Sequence, residues 1–167
     1  MKPQDFEHER KFLVADTSIV DATQEGTSIV QGYFPCAPGF SVRVRSYPTL
    51  DTYQFTVKGP RQGISRLEEE DVLTAGGETA LLAAGEWIVE KTRYPAVGPD
   101  GLGWDIDVFH QRNDGLVLAE LELKEPNATF EIPEWCGAEV TADRRYYNDQ
   151  LAFNPYSNWR EDKPQVP

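Results

Sequence analysis

Histidine and cysteine are scarce in this chain of 167 residues, with two of each. His8 and His110 alone give little support for a Ser-His or Cys-His nucleophile. Cys36 and Cys136 lack zinc spacing and lie far apart in loop-like contexts, which reads as a reduced, cytoplasmic protein rather than a disulfide framework. The metalloprotease pattern HExxH is also missing, because His8 and Glu9 are followed by Phe12 where the second histidine should stand. A phosphate-cradling GxxxxGK[ST] loop is absent as well. Basic charge is in deficit: 16 Lys and Arg face 28 Asp and Glu, a formal net charge of -12. That balance argues against nucleic acid or an anionic membrane as partner, although local clusters of Lys and Arg could still bind a small anion. No apolar run approaches the ~18 residues needed to cross a membrane, and the start from Met1 to Asp5 has no apolar leader. Repeats, low-complexity tracts and linkers are lacking too. One domain over residues 1–160 is expected, followed by a flexible polar tail at 161–167.

What the sequence does contain is short strands punctuated by Gly, Pro, Asn and Asp. The pattern predicts strands at 6–14, 28–34, 40–47, 52–58, 64–73, 87–95, 103–110 and 117–124, a spacing typical of a sandwich or barrel. Two helices are expected. One lies within 75–85, a run rich in Ala and Leu that ends at a glycine. The other runs over 143–153 with Asp143 as N-cap.

The side chains within these strands alternate by charge. In 7–11, Glu7, Glu9 and Lys11 share one face, because strand side chains alternate with period two. Arg43 and Arg45 oppose Val42 and Val44. Thr56 and Lys58 oppose Phe55 and Val57. Arg66, Glu68 and Glu70 share a face, as do Lys91 and Arg93, Asp105 and Asp107, and Glu120, Glu122 and Lys124. A single such strand would be a half-buried sheet with a solvated outer face. Repeated along the chain, the pattern fits better with a closed barrel whose charged faces point inward and whose apolar faces are covered by helices and loops. Such an interior must be wet or hold a charged ligand, since isolated buried charges are costly. Carboxylates spaced at i and i+2 are hard oxygen donors suited to Mg²⁺ or Mn²⁺, and facing Arg and Lys suit phosphate oxygens. Together they describe a polyphosphate site in which metal and cations neutralise a transferring phosphoryl group. His8 falls on the outer face and reads as packing, as do Trp87, Trp104 and Trp135.

With those residues in view, the chain resembles the CYTH superfamily, or triphosphate tunnel metalloenzymes. The hallmark ExExK stands at Glu7, Glu9 and Lys11, and the stretch ERKFLV from Glu9 to Val14 is similar to the short bacterial inorganic triphosphatases. The likeness continues in order through Gln31-Gly32-Tyr33, Val42 to Arg45, Thr56-Val57-Lys58, Ser65 to Glu70, Glu90 to Tyr94, Asp105 to Phe109, Ala119 to Glu122 and Glu139 to Asn148.

The resemblance implies a mainly β fold of the α+β kind: an eight-stranded antiparallel β-barrel forming a charged tunnel, with flanking helices that include a C-terminal one. It implies that Lys11, Arg43, Arg45, Lys58 and Arg93 hold a triphosphate, and that Glu7, Glu9, Asp107, Glu120 and Glu122 hold divalent metal. Glu68 and Glu70 then complete a metal shell or position the attacking water. Lys91 stabilises the phosphoryl or leaving group, and Arg145 closes a tunnel mouth. Asp105, Arg66 and Lys124 are expected as ion-pair partners, Glu69 as solvated, and Tyr146 and Asn148 as anchors of the C-terminal helix. The expected activity is hydrolysis of inorganic triphosphate to pyrophosphate and phosphate by in-line attack of a metal-activated water. The alternatives are an organic triphosphate (thiamine triphosphate or a nucleoside triphosphate), cyclisation of ATP as in class IV adenylate cyclases, and a non-catalytic polyphosphate-binding module. An outward apolar strip offers a surface for a homodimer.

Overall fold

The computed structural model describes residues 5–21 and 25–161. The expectations for a leader-free start and for a polar tail fall on residues 1–4 and 162–167, outside the described residues. The chain forms strands β1 (Asp5–Val14), β2 (Thr27–Phe34), β3 (Ser41–Tyr47), β4 (Thr52–Lys58), β5 (Ser65–Leu73), β6 (Ile88–Val97), β7 (Gly103–Phe109), β8 (Val117–Glu122) and β9 (Cys136–Glu139). Helices α1 (Ser18–Asp21), α2 (Gly77–Ala83) and α3 (Asn148–Phe153) are short. No helix among the described residues is long and apolar enough to cross a membrane, and both cysteines are free.

Eight of the strands close into an antiparallel ring in the order β1-β5-β4-β3-β2-β6-β7-β8 and back to β1. Closure depends on the length of β1. One edge pairs with β8 from Glu9 opposite Glu122 to Leu13 opposite Leu118. The other edge is divided. Asp5 to His8 pair with β5, and beyond Lys11 the edge passes to β9, with Phe12 opposite Glu139 and Val14 opposite Cys136. The backbone NH of Val140 donates to the Lys11 carbonyl at 2.8 Å. Sharing the edge in this way pairs both ends of that side of β1.

Each of the eight predicted strands is present, with ends shifted by up to a few residues. β9 and α1 are additional. β9 has only four residues, Cys-Gly-Ala-Glu, with no alternation to betray it. It is a strand because β1 offers it an edge. The C-terminal helix starts later than expected. The Asp143 carboxylate does cap, accepting from the Arg145 backbone NH at 3.1 Å, but the turn it caps is a 3-10 turn over Arg144–Tyr146. Extended Tyr147 then interrupts the chain before α3 begins.

Period-two alternation places the apolar faces of β1, β6, β7 and β8 outward. Phe12, Trp104, Ile106, Ala119 and Leu121 are buried there beneath Phe130 and Trp135, with Ile19 and Val20 of α1 alongside. Phe12 and Trp104 meet edge-on at 5.6 Å, and Trp104 and Trp135 at 5.5 Å. Burying each such side chain contributes about 1.5–3 kcal/mol. On the opposite side α2 lies against β2. Gly32 permits this close approach, since a Cβ there would stand 2.5 Å from the Ala84 Cβ.

The inward faces are charged for only part of their length. On β6, β7 and β8 the charged positions give way to Val89, Phe109 and Leu118, which pack with Tyr33 and with Leu151 and Ala152 of α3. The C-terminal helix therefore stoppers one end of the barrel with an apolar plug, and the charged interior lies above it.

Candidate active site

The barrel encloses a cavity of about 570 Å³, within the usual size range for small-molecule sites. Strand register sets its ion pairs, because residues directly opposite on neighbouring strands share a face. Lys11 stands opposite Glu120, Arg93 opposite Asp107 and Lys58 opposite Glu68.

The wall built by β1, β8, β7 and β6 is acidic, with its cations engaged. Lys11 Nζ donates to Glu120 Oε1 at 2.7 Å and lies 3.4 Å from Glu9. Arg93 bonds Asp107 at 2.7 and 2.8 Å, Glu120 at 2.7 Å and Asp105 at 2.9 Å. Lys91 Nζ donates to Asp107 Oδ2 and, at 3.2 Å, to Asn148 Oδ1 at the start of α3. Burial works against the Lys11 ammonium, but Glu120 and Glu9 outweigh it and raise its pKa. For Lys91 burial wins over the attraction of Asp107, and with Arg93 nearby the pKa is pushed down to about 8. Glu120 is held well below the usual carboxylate range because Lys11, Lys91 and Arg93 overcome its burial.

The facing wall, from β3, β4 and β5, is richer in uncompensated guanidinium. Arg45 has no carboxylate partner among the described residues. Its Nε donates to Gln31 Oε1 at 3.0 Å and its Nη1 to the Tyr47 hydroxyl at 3.2 Å. Arg43 bonds Thr56 Oγ1 at 3.2 Å and reaches Glu70 only at 3.4 Å. Lys58 sits between Glu7 and Glu68, 2.7 and 2.8 Å away.

Most of the residues singled out in the sequence meet here. Glu7, Glu9, Lys11, Arg43, Arg45, Lys58, Glu68, Glu70, Lys91, Arg93, Glu120 and Glu122 all line the cavity. Two do not. Asp107 is fully buried behind the acidic wall, with both oxygens taken by Lys91 and Arg93. The Arg145 side chain is 57% exposed outside the barrel, bound to Asp143 at 2.7 Å and lying over the Trp159 ring. Of the expected ion-pair partners, Asp105 lines the cavity and pairs with Arg93, while Lys124 is exposed past the end of β8 and joins no ion pair among the described residues. Arg66 lines the cavity without any carboxylate partner among the described residues. Asn148 does more than anchor its helix: its Oδ1 accepts from both Gln31 and Lys91. Sequence reasoning did not single out Arg61, Tyr147 or Asp149, which also line the space. Arg61 sits in a loop and Tyr147 in the extended residue before α3, where no periodicity marks which way a side chain points, and Asp149 lies in the first turn of the short α3. His8 lies on the outer face and hydrogen-bonds Ser65 Oγ at 2.7 Å.

Among the described residues no three carboxylates are drawn together as a ready metal cage. The donor chemistry nevertheless fits a hard divalent ion. Glu9 stands opposite Glu122, with Glu7 next on the same face. Burial and then Glu120 raise the Glu9 pKa, and burial followed by Glu7, Glu68 and Glu9 raises that of Glu122. A cation among these oxygens would offset that local excess of negative charge.

No protein-family model matches the chain. Individual proteins do. It is 40% identical over 157 residues to an inorganic triphosphatase of Acetivibrio thermocellus, covering 93% of this chain and 98% of the relative. An inorganic triphosphatase of Nitrosomonas europaea is 37% identical over 151 residues, covering 89% of this chain and 97% of the relative. A crystal structure of an inorganic triphosphatase superposes with a TM-score of 0.62 at 34% identity, covering 87% of this chain and 93% of that one. Likeness of this extent, over a closed barrel carrying ExExK on β1, places the chain in the family of these bacterial inorganic triphosphatases, within the CYTH superfamily.

Proposed function

We propose that this protein hydrolyses inorganic triphosphate to pyrophosphate and orthophosphate inside the barrel, with a divalent cation, Mg²⁺ or Mn²⁺, as cofactor. The observation that carries this reading is the division of the cavity. Guanidinium groups short of counter-charge line one wall, and a like-charged carboxylate pair lies on the other. A polyanion bridged to a cation would satisfy both walls at once.

On this reading Arg43 and Arg45 take phosphoryl oxygens by charge-assisted hydrogen bonds, assisted by Lys11, Lys58 and Arg93. Glu7, Glu9, Glu120 and Glu122 would hold the metal. When bound, such an ion neutralises phosphoryl charge and makes the attacking water easier to deprotonate. Glu68 and Glu70 orient that water on the β5 wall, and Lys91 neutralises charge on the leaving pyrophosphate. Asp107 acts at one remove by holding Lys91 and Arg93 in place. Transfer is in line, with catalysis supplied by positioning and charge.

Large apolar surface is sparse in the lining: Phe6, Tyr33 and Tyr147 are the aromatic residues there. That scarcity favours an inorganic chain over a substrate carrying a base or thiazole ring. The test is phosphate release from inorganic triphosphate, ATP and thiamine triphosphate side by side, with Mg²⁺, Mn²⁺ or EDTA. The proposal expects EDTA-sensitive turnover of the inorganic substrate. Preference for an organic triphosphate, or no turnover at all, overturns it.

A further inference from the structure

Each lysine in the cavity is matched by a carboxylate: Lys11 by Glu120, Lys58 by Glu7 and Glu68, Lys91 by Asp107. Two guanidinium groups beside the start of α3 are treated differently. Arg66, the inward residue at the beginning of β5, is 6% exposed and lines the cavity. Its one hydrogen bond among the described residues runs from Nε to the Gly59 carbonyl at 3.1 Å, so its terminal nitrogens have no protein acceptor. Arg61, in the loop before β5, lies over the Tyr147 ring at 4.5 Å. Among the described residues its buried Nε has no hydrogen-bond partner, and its terminal nitrogen pairs with Glu9 only at 4.0 Å. The two arginines also oppose each other: after burial, the Arg61 charge is the largest influence lowering the Arg66 pKa. Glu7, which stands opposite Arg66, and Asp149 and Glu9 attract Arg66 from a distance, but a guanidinium taken from water without a directly bonded anion is costly until an anion satisfies it.

We infer that Arg61 and Arg66 form a phosphate subsite at the stoppered end of the cavity, which takes one terminal phosphoryl group of the substrate. The inference rests on the triphosphatase reading and adds a direction to it. A terminal phosphoryl group has three non-bridging oxygens and can meet two guanidinium forks at once, whereas an internal phosphoryl group has only two such oxygens. Arg61 lies over the ring of Tyr147, the residue before α3, and Leu151 of that helix packs with Phe109 and Leu118 in the apolar plug, so a phosphoryl group held there faces the closed end. The chain therefore threads end-on, and any ester group must lie toward the other mouth.

The experiment compares the wild-type protein with Arg61→Gln, Arg66→Gln and Arg66→Lys. Steady-state kinetics are measured with inorganic triphosphate and metal, and binding of inorganic triphosphate is measured by calorimetry in EDTA, without turnover. Loss of one charge-assisted contact is expected to raise KM and the calorimetric Kd about tenfold or more while kcat changes less, and Arg66→Lys should recover part of the affinity. Unchanged KM and Kd in the glutamine variants, or a fall in kcat at constant KM, overturns the subsite. If Arg66→Gln unfolds, Arg61→Gln carries the test, because Arg61 lies on a loop outside the barrel ladder. A wild-type protein that does not turn over triphosphate defeats the triphosphatase reading, and the calorimetric comparison still decides the subsite.

Discussion

Glu9 stands directly opposite Glu122 across the β1–β8 ladder, and no cation among the described residues bridges the two. Lys11 opposite Glu120, Arg93 opposite Asp107 and Lys58 opposite Glu68 are joined as unlike charges. A second acid–acid pair, Asp105 opposite Glu120, is spanned by Arg93 at 2.9 and 2.7 Å, and a third, Asp5 opposite Glu68, has Lys58 2.8 Å from Glu68. Glu122 joins no ion pair among the described residues, and Glu9 has Lys11 no closer than 3.4 Å. Like charges directly opposite destabilise a sheet, so relieving this pair should not harm the fold. Glu122→Gln is expected to abolish metal-dependent turnover while keeping the wild-type Tm or raising it slightly. The wild-type protein should gain Tm on addition of Mg²⁺, since an ion at 100 times its Kd stabilises by about 2.7 kcal/mol, and Glu122→Gln should lose that gain. Thermal unfolding with and without metal, beside a turnover assay, checks both halves. Full activity in the variant would remove Glu122 from the metal site.

Lys91 gives the pH dependence. Burial, set against the pull of Asp107, brings its pKa down to about 8, whereas the unfolded chain keeps the proton to ~10.4. As pH rises through 8 the folded protein loses this cation, and with it the charge proposed to meet the leaving group. Because kcat/KM reports ionisations of the free enzyme, it is expected to fall above pH 8. Stability should not fall with it from this cause. Between pH 8 and 10 the unfolded state binds more protons at this residue than the folded state, so the contribution of Lys91 to stability rises with pH. Lys91→Arg, which stays charged, should flatten the alkaline limb. An unchanged limb in that variant would assign the ionisation elsewhere.

Arg43 and Arg145 separate a cavity residue from a surface residue. Arg43 is buried in the guanidinium wall, and Arg43→Ala is expected to raise KM for triphosphate on the order of 10- to 100-fold, the equivalent of one charge-assisted contact. Arg145 is spent outside on Asp143 and Trp159, so Arg145→Ala should leave kcat and KM unchanged. A kinetic defect in Arg145→Ala would return it to a tunnel mouth, as the resemblance suggested.

How much of this was legible in the sequence depended on periodicity. A strand announces its inward face by alternation, so Glu7, Glu9, Lys11, Arg43, Arg45, Lys58, Arg93 and Glu120 were readable as one charged interior before any coordinates. Asp107 shows the limit. Alternation placed it correctly with Asp105 on the inner face, but which carboxylate meets solvent and which is consumed by Lys91 and Arg93 depends on depth in the barrel, which period two does not encode. The same blindness hid the plug: Val89, Phe109 and Leu118 continue the charged faces, yet they lie where α3 enters. Arg61 was invisible for a different reason, since its loop has no period, and its place over the Tyr147 ring depends on a segment far away in sequence. β9 escaped because its strand character comes from the β1 edge and not from its own residues.

The plug carries the last prediction. Leu151 is fully buried among Tyr33, Val89, Phe109 and Leu118, so Leu151→Ala is expected to cost about 2–5 kcal/mol through lost burial and the cavity left behind. Asn148 begins the same helix and tests something different. Its Oδ1 accepts from Gln31 at 2.9 Å and from Lys91 at 3.2 Å, so it couples the plug to the catalytic wall. Asn148→Ala should lower kcat by releasing Lys91, with a smaller loss of stability than Leu151→Ala, because no large apolar volume is emptied. Denaturant unfolding and kinetics on the two variants should therefore give opposite rankings, Leu151→Ala worse in stability and Asn148→Ala worse in kcat per folded molecule. If both variants lose kcat in proportion to stability alone, α3 is only a stopper and Asn148 does not position Lys91.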